Sequence, residues 1–242
     1  MRGFSMLVLI QLTAAAPLAA QFEGTISMKV SGVGNQNMGD ITMKMMVKGN
    51  QQATLVTLPA SAGPMGGVEM RMVYDPSTMT ATSLMPIPAM LAQSPMFANA
   101  KGIKMVTDLS KATANPNTSD VTVDVKKLGT TEKIAGIDCE DYEIKPSNAD
   151  PMRACIAQSM GHFLFPSMGG GMGRAGAASP AWTKAFGTKD GFPMKVWSPA
   201  GGGVAMEVTS IDKGTVSPDM FSIPEGYVDM ASMMGGRRGG GF

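Results

Sequence analysis

The sequence predicts a mainly β protein built around an antiparallel sheet that is apolar on one face. Three observations predict this class: apolar and polar residues alternate with a period of two, turn-forming residues separate the alternating segments, and helix signals are sparse. The clearest alternation lies in residues 25–30, 41–48, 68–74 and 121–126. Further strands are predicted at residues 52–58, 79–84, 194–197 and 204–211. Because the outward positions carry Thr, Lys, Glu and Asp, the second face is expected to meet solvent.

Turn and helix signals organise the rest of the chain. Turns are predicted at residues 49–50, 75–77, 135–136 and 212–214. Short helices are predicted at 180–186 and within 87–100, where Pro95 interrupts the second one, and a helical turn is predicted at 217–221. A glycine-rich insertion at 169–179 and a glycine-rich tail at 229–242 contain too little apolar bulk to offset the entropy of ordering, so both are predicted to be disordered.

The N-terminus has the order of features of an export signal. Arg2 provides a positive charge, residues 4–12 are apolar, and small residues lead to a predicted cleavage site after Ala20. The apolar run is shorter than the roughly 20 residues that cross a bilayer, and no second apolar span follows. The sequence therefore predicts a signal peptide over 1–20, a single β domain over 21–228, and a protein that is periplasmic or extracellular and not integral to a membrane.

Charge and the scarcity of catalytic residues argue against several functions. Lys and Arg number 20 against 19 Asp and Glu, a balance that argues against nucleic acid as a partner. His162 is the only histidine, so a hydrolytic triad or a zinc site is not expected. The GxGxxG match at residues 171–176 lacks a preceding strand and predicts a loop. Glu140 and Asp141 are expected on opposite faces of one strand, both solvated. No enzyme activity, cofactor or metal centre is predicted from these residues.

Methionine is the unusual residue of this chain, with 25 copies. Five of them share the apolar parity of predicted strands: Met28, Met43, Met45, Met70 and Met72. Three interpretations are open at this point. The methionines fill an ordinary core, or they form an adaptable lining for an apolar ligand, or their thioethers bind Cu(I), which prefers soft ligands.

The two cysteines are expected to form a structural disulfide. Two cysteines in an exported chain pair by default, and a hairpin in which Cys139 lies opposite Cys155 would turn at Ser147 and bring Tyr142 opposite Met152. Closing a loop of this size stabilises a fold by roughly 3 kcal/mol in the chain-entropy model. A CxxC redox motif is absent from the sequence.

The same hairpin carries a family resemblance. The stretch KLGTTEKIAGIDCEDYEI at 127–144 resembles the central motif of the DUF4412 family of secreted bacterial proteins. RACIA at 153–157, GHFLF at 161–165, GFPMKVW at 191–197 and SPDMFSIPEGY at 217–227 resemble later segments of that family, so the resemblance spans about residues 22–227. It implies a fold similar to the lipoprotein carriers LolA and LolB. In such a fold a strongly curved, unclosed antiparallel sheet surrounds an apolar cavity, with short helices over the concave face.

The sequence and the resemblance together predict an exported, non-enzymatic protein that binds an apolar ligand. The expected ligand is a lipid or a lipoprotein acyl chain, buried against the five methionines, with the segments at 87–100 and 180–186 as lids. The alternatives are a structural or protein-interaction domain with a solid core, and a methionine-based Cu(I)-binding protein.

Overall fold

The computed structural model describes residues 22–31, 39–110, 122–147, 150–160, 191–197 and 203–231. The predicted signal peptide, His162, the insertion at 169–179, the helix predicted at 180–186 and the tail beyond residue 231 lie outside these ranges.

Within the described residues, twelve strands form a single sheet, which confirms the predicted mainly β class. The strands are β1 Gly24–Val30, β2 Ile41–Lys48, β3 Gln51–Thr57, β4 Glu69–Asp75, β5 Thr80–Met85, β6 Gly102–Asp108, β7 Val123–Ile134, β8 Ile137–Pro146, β9 Met152–Ala157, β10 Phe192–Trp197, β11 Val204–Lys213 and β12 Tyr227–Asp229. Neither β6 nor β12 is predicted from the sequence.

The sheet is unclosed, as the predicted half-barrel requires. The strand order is β12-β6-β5-β4-β3-β2-β1-β11-β10-β9-β8-β7, and in the described chain β12 and β7 form the two edges without pairing to each other. Neighbouring strands are antiparallel throughout, except that β12 pairs in parallel with β6. The exception arises because the chain leaves β11 and crosses the sheet before it joins the far edge as β12.

Residues 214–226, which we call the strap, make this crossing over one face of β2, β3 and β4. Val216 and Phe221 of the strap are buried against Met46 and Ala53, which makes a small second core. The Arg71 side chain fastens the strap to the sheet. Its guanidinium donates hydrogen bonds to the backbone carbonyls of Asp219 at 2.9 Å and of Ser222 at 3.2 Å. The helical turn predicted at 217–221 is confirmed as a 3-10 turn, Pro218–Phe221.

The other helical segments are short. The helix predicted within 87–100 is confirmed as α1, Ala89–Ala92, followed by a 3-10 turn at Pro95–Phe97, so the helix does break near Pro95. Two further 3-10 segments occur at Ala60–Met65 and Gln158–Met160. None of the helices among the described residues is long and apolar enough to span a bilayer.

Two consecutive hairpins, β7–β8 and β8–β9, form the end of the sheet that carries the cysteines. The predicted turn between β7 and β8 is confirmed, because Ala135 and Gly136 both have positive φ, 48° and 82°, as a two-residue hairpin turn requires. The register predicted for β8–β9 is wrong by two residues. Tyr142 pairs with Ala154 and Ile144 pairs with Met152.

The observed β8–β9 register has a physical reason. It places Pro151 just before β9, outside the ladder, where its missing N–H costs no ladder hydrogen bond. It also pairs Ile144 with Met152, which are exposed by 0% and 4%, so the last pair of the hairpin closes within the core. A shift of two residues keeps every side chain on its predicted face.

Candidate functional site

The five predicted methionines lie on one face of the sheet, in two cross-strand rows. In the first row Met28 of β1 lies opposite Met43 of β2, and Val56 of β3 lies between Met43 and Met70 of β4. In the second row Met45 lies opposite Ile26 on one side and Thr54 on the other, and Thr54 lies opposite Met72. We call the face that carries Met28, Met43, Met45, Met70 and Met72 the methionine face.

Burial divides the methionine face into two sections. Met28, Met43 and Met45 are exposed by only 1%, 4% and 0%, and they belong to the main core cluster with residues of β8 to β11. Met70 and Met72 are half-buried. The face is therefore sealed along β1 and β2 and partly open to solvent at β4.

Two further methionines extend the half-buried section. Ser83 of β5 lies opposite Met72 and also opposite Met105 of β6, and Met85 of β5 shares the face of Ser83. Met85 and Met105 are half-buried as well. Neither residue follows from the sequence pattern, because the predicted strand ends at residue 84 and no strand is predicted over β6. The alternation of Ile103, Met105 and Thr107 with polar or exposed neighbours is the signal that could have found the second of them.

The methionine face carries no charged side chain along the described strands β1, β2, β3, β4, β5 and β6, whereas β11 places Lys213 at its end, opposite Gly24. The polar members on β1 to β6 are neutral. They include Thr54, which is 2% exposed, and Gln52, which is 8% exposed. Such a surface can bind apolar groups, or soft cations that accept uncharged ligands such as thioethers. It offers no cationic side chain that could pair with a carboxylate or a phosphate.

Two of the clefts that the described residues form lie away from the methionine face, and none of the five methionines lines them. One, of about 300 Å³, lies between the segment Pro95–Ala100 and β12, with Met96 and Tyr227 on opposite sides. The other, of about 460 Å³, lies at the β7–β8 turn and includes Cys139, Glu140 and Gln158.

The predicted disulfide between Cys139 and Cys155 is confirmed, with a Cα–Cα distance of 5.4 Å. Because Cys155 pairs with Asp141, the bond runs diagonally between β8 and β9 rather than straight across. Both cysteines are buried, at 2% and 0% exposure. The bond therefore acts as a staple between the two strands.

The expectation that Asp141 is solvated is wrong. Glu140 and Asp141 do lie on opposite faces of β8, but the Asp141 side chain is 0% exposed. Its carboxylate accepts hydrogen bonds from Nη2 of Arg153 and from Oγ1 of Thr130. The arginine guanidinium also lies over the ring of Trp197, 4.3 Å from its centroid. A cation and a hydroxyl compensate the buried charge at one carboxylate oxygen, Oδ2, while Oδ1 is buried without a hydrogen-bond partner.

Other charges surround this ion pair on the same face. Nζ of Lys195 lies 5.1 Å from the centroid of the Trp197 ring, 3.8 Å from Glu132 and 3.4 Å from Glu207. Arg153 also contacts Glu132 at 3.4 Å. The group contains two cations and three carboxylates, and each of these side chains has an oppositely charged partner, so the arrangement is an ionic network that supports the sheet.

A second small polar cluster lies beside the cleft at the β7–β8 turn. Nζ of Lys127 donates to Glu140 at 2.7 Å and the Tyr142 hydroxyl donates to the same carboxylate at 3.0 Å, and these two bonds lower the pKa of Glu140. Burial, followed by the bond to Glu140, raises the pKa of Tyr142. The hydroxyl also accepts a bond from Gln158 at 3.2 Å. Both pKa shifts favour the charge states that the two groups already have at neutral pH, an ionised Glu140 and a neutral Tyr142. Neither group is therefore tuned to exchange a proton near neutral pH.

Metal ligands of the common kinds are not gathered in the described residues, where no three His, Cys, Asp or Glu side chains come together. Only thioethers are clustered, on the methionine face.

The geometry defines a class of protein: an unclosed, mainly antiparallel half-barrel with a stapled hairpin and an uncharged, methionine-rich face. The chain belongs to the family described as "Domain of unknown function (DUF4412)", whose model matches residues 22–227. The resemblance given by the sequence motifs is thereby confirmed.

Comparison with solved structures finds a likeness to the crystal structure of MucB, at 10% sequence identity and a TM-score of 0.40. The likeness covers 86% of this chain, which spans 60% of the MucB chain. A comparison with curated proteins finds no match.

Proposed function

We propose that this protein is exported and binds an apolar ligand, such as a lipid or an acyl chain, against the methionine face, without enzymatic activity. One observation carries the proposal: a continuous uncharged face that extends over six neighbouring strands, from β1 to β6. A soluble sheet face of this extent must be covered by something apolar, because exposing it to water costs about 25 cal/mol per Å².

The composition of this face suits a ligand of irregular shape. One cross-strand row combines methionines with branched residues, in the order Val208, Met28, Met43, Val56 and Met70. An unbranched thioether with three rotatable bonds can rearrange around different chains, whereas branched residues hold the sheet rigid. The half-buried section at β4 to β6 provides the entry, because its methionines are already partly in contact with solvent.

Binding is tested with the chain that begins at residue 21. Native mass spectrometry after gentle purification is expected to show a co-purified lipid, and the delipidated protein is expected to bind a fluorescent fatty acid. In the double variant Met70→Gln, Met72→Gln, the buried amides are expected to cost at least about 1.4 kcal/mol, a tenfold loss of affinity. Met96→Gln is the matched control, because Met96 is 60% exposed and lies off the methionine face. The absence of both co-purified lipid and fatty-acid binding would refute the proposal.

A structural or interaction domain with a solid core is the second candidate. The observation that favours it is the burial of Met28, Met43 and Met45 to 4% exposure or less. The two candidates predict different thermal behaviour. A ligand-binding protein is stabilised by RT ln(1 + [L]/Kd), so its Tm rises with fatty-acid concentration, whereas a solid core gives a Tm that does not change.

Export is supported by the disulfide, because such bonds persist in oxidising compartments. Cell fractionation combined with reduced and non-reduced peptide mapping tests it. A disulfide-bonded peptide pair in the exported fraction is expected, and a free, alkylatable Cys139 in that fraction would overturn the interpretation.

A further inference from the structure

Four methionines of the half-buried section surround one small residue. Ser83 lies directly opposite Met72 on one side and opposite Met105 on the other. Met85 lies two residues further along β5 on the same face, about 7 Å away. The register that pairs Arg71 with Leu84 brings Met70 across from Met85 one residue beyond. The four thioethers therefore border one patch on three adjacent strands.

We infer from the strand spacing that a bound atom fits at the centre of the patch. Residues directly opposite on neighbouring strands have Cβ atoms about 4.5–5.5 Å apart, so Met72 and Met105 flank Ser83 at twice the strand spacing, about 10 Å. The short Ser83 side chain does not fill this gap, and flexible thioether side chains can lean over it from both sides. Met85 can reach the same point from along the strand.

The chemistry of the patch selects one class of ligand. Thioethers are soft, neutral donors that prefer Cu(I), while Mg²⁺ and Ca²⁺ require oxygen ligands. Among the described residues, the strands β4, β5 and β6 place no carboxylate, histidine or cysteine on this face. All four methionines are half-buried, so a cation can enter from solvent and remain partly shielded from competing water.

We propose that Met72, Met85 and Met105, with Met70 beside them, form a binding site for a soft monovalent cation, Cu(I) or Ag(I). This site is distinct from the sealed section of the methionine face at Met28, Met43 and Met45, and it does not depend on the binding of an apolar ligand. The coordination is reversible and involves no electron transfer.

The test is a competition titration with Cu(I) and a chromogenic Cu(I) chelator under anaerobic, reducing conditions, on the chain that begins at residue 21. The wild type is expected to bind one Cu(I) with a Kd tighter than micromolar. The double variant Met72→Leu, Met105→Leu is expected to weaken binding at least about tenfold, which is 1.4 kcal/mol. Leucine conserves volume and apolarity and removes only the sulfur, so the fold is expected to persist.

The matched control is the double variant Met79→Leu, Met96→Leu. These methionines are 41% and 60% exposed and lie outside the patch, so their loss is expected to leave the Kd unchanged. A wild-type Kd no better than micromolar overturns the proposal. So does an unchanged Kd in the double variant of the patch, or an equal loss in the control.

Fatty-acid binding by the same variants separates the two proposals. The Leu variants keep an apolar face, so a loss of Cu(I) with intact fatty-acid binding supports the cation site. A failure of fatty-acid binding in the wild type would count against the proposed function alone.

Discussion

Breaking the ion pair between Arg153 and Asp141 is expected to destabilise the fold strongly. Removal of one partner of a buried pair costs about 3–5 kcal/mol, because it leaves a charge without compensation. Two features place Arg153→Leu at the lower end of this range: the arginine side chain is 42% exposed, and Thr130 continues to donate to the carboxylate. Loss of the contact with Trp197 adds about 0.5–1 kcal/mol. We expect a total of about 3.5–4 kcal/mol.

Thermal unfolding followed by circular dichroism measures this loss. For a chain of this size each kcal/mol lowers Tm by about 2–4 °C, so Arg153→Leu is expected to lower Tm by about 7–16 °C. The matched control is Lys133→Leu. Lys133 and Asp138 form an ion pair with 66% and 79% exposed side chains, and such pairs contribute no more than about 1 kcal/mol.

A double variant distinguishes the cost of the uncompensated buried charge from the cost of lost packing. Replacing both Asp141 and Arg153 by Leu removes the uncompensated carboxylate, so most of the lost stability is expected to return. If Arg153→Leu lowers Tm no further than Lys133→Leu does, the account of Asp141 as a buried charge that depends on Arg153 is refuted.

Three further predictions concern the edge of the sheet, the polar cluster and the disulfide. Gly102→Ala is expected to lower the free energy of unfolding in urea by about 1–3 kcal/mol, because the added Cβ would lie 2.5 Å from the Tyr227 ring. Gly214→Ala is the control and is expected to be neutral, because its Cβ would meet nothing within 4 Å. Equal effects of the two substitutions would contradict the docking of β12. Lys127→Met is expected to raise the lowered pKa of Glu140 toward its ordinary value, measured by NMR titration. The pKa of Glu140 is lower in the folded state than in the unfolded state. Its hydrogen bonds therefore stabilise the fold at pH values above the unfolded-state pKa, and this stability is lost as the pH falls through the folded-state pKa. An unchanged titration of Glu140 in Lys127→Met would contradict this. Replacing both cysteines by alanine is expected to cost about 3 kcal/mol, with unchanged stability as the contrary result.

Period-two alternation predicted most of the strands and the shared face of the five methionines, because side-chain direction along a strand is a local property. It did not predict β12, since three residues carry too little pattern, nor the crossing of the strap, which depends on contacts such as Arg71 with Asp219. The order of strands in a sheet is a long-range property that alternation does not encode.

The β8–β9 hairpin shows where sequence reasoning fails and what it overlooks. Alternation fixes the faces of Cys139 and Cys155 but not the register, and a shift of two residues leaves the pattern intact. The burial of Asp141 had a usable signal, because even the predicted register brings it opposite Arg153. An aspartate in an acidic stretch is expected to be exposed to solvent if its sequence neighbours alone are considered. A cross-strand arginine instead indicates that the aspartate can be buried as part of an ion pair.

The most direct test of the central claim is an NMR titration of protein labelled with ¹³C in the methionine methyl groups. If the methionine face binds the ligand, a bound fatty acid is expected to shift the methyl resonances of that face, assigned by single Met→Leu variants, and to leave those of Met79 and Met96 in place. Unchanged resonances across the methionine face at saturating fatty acid, or shifts confined to Met79 and Met96, would contradict it.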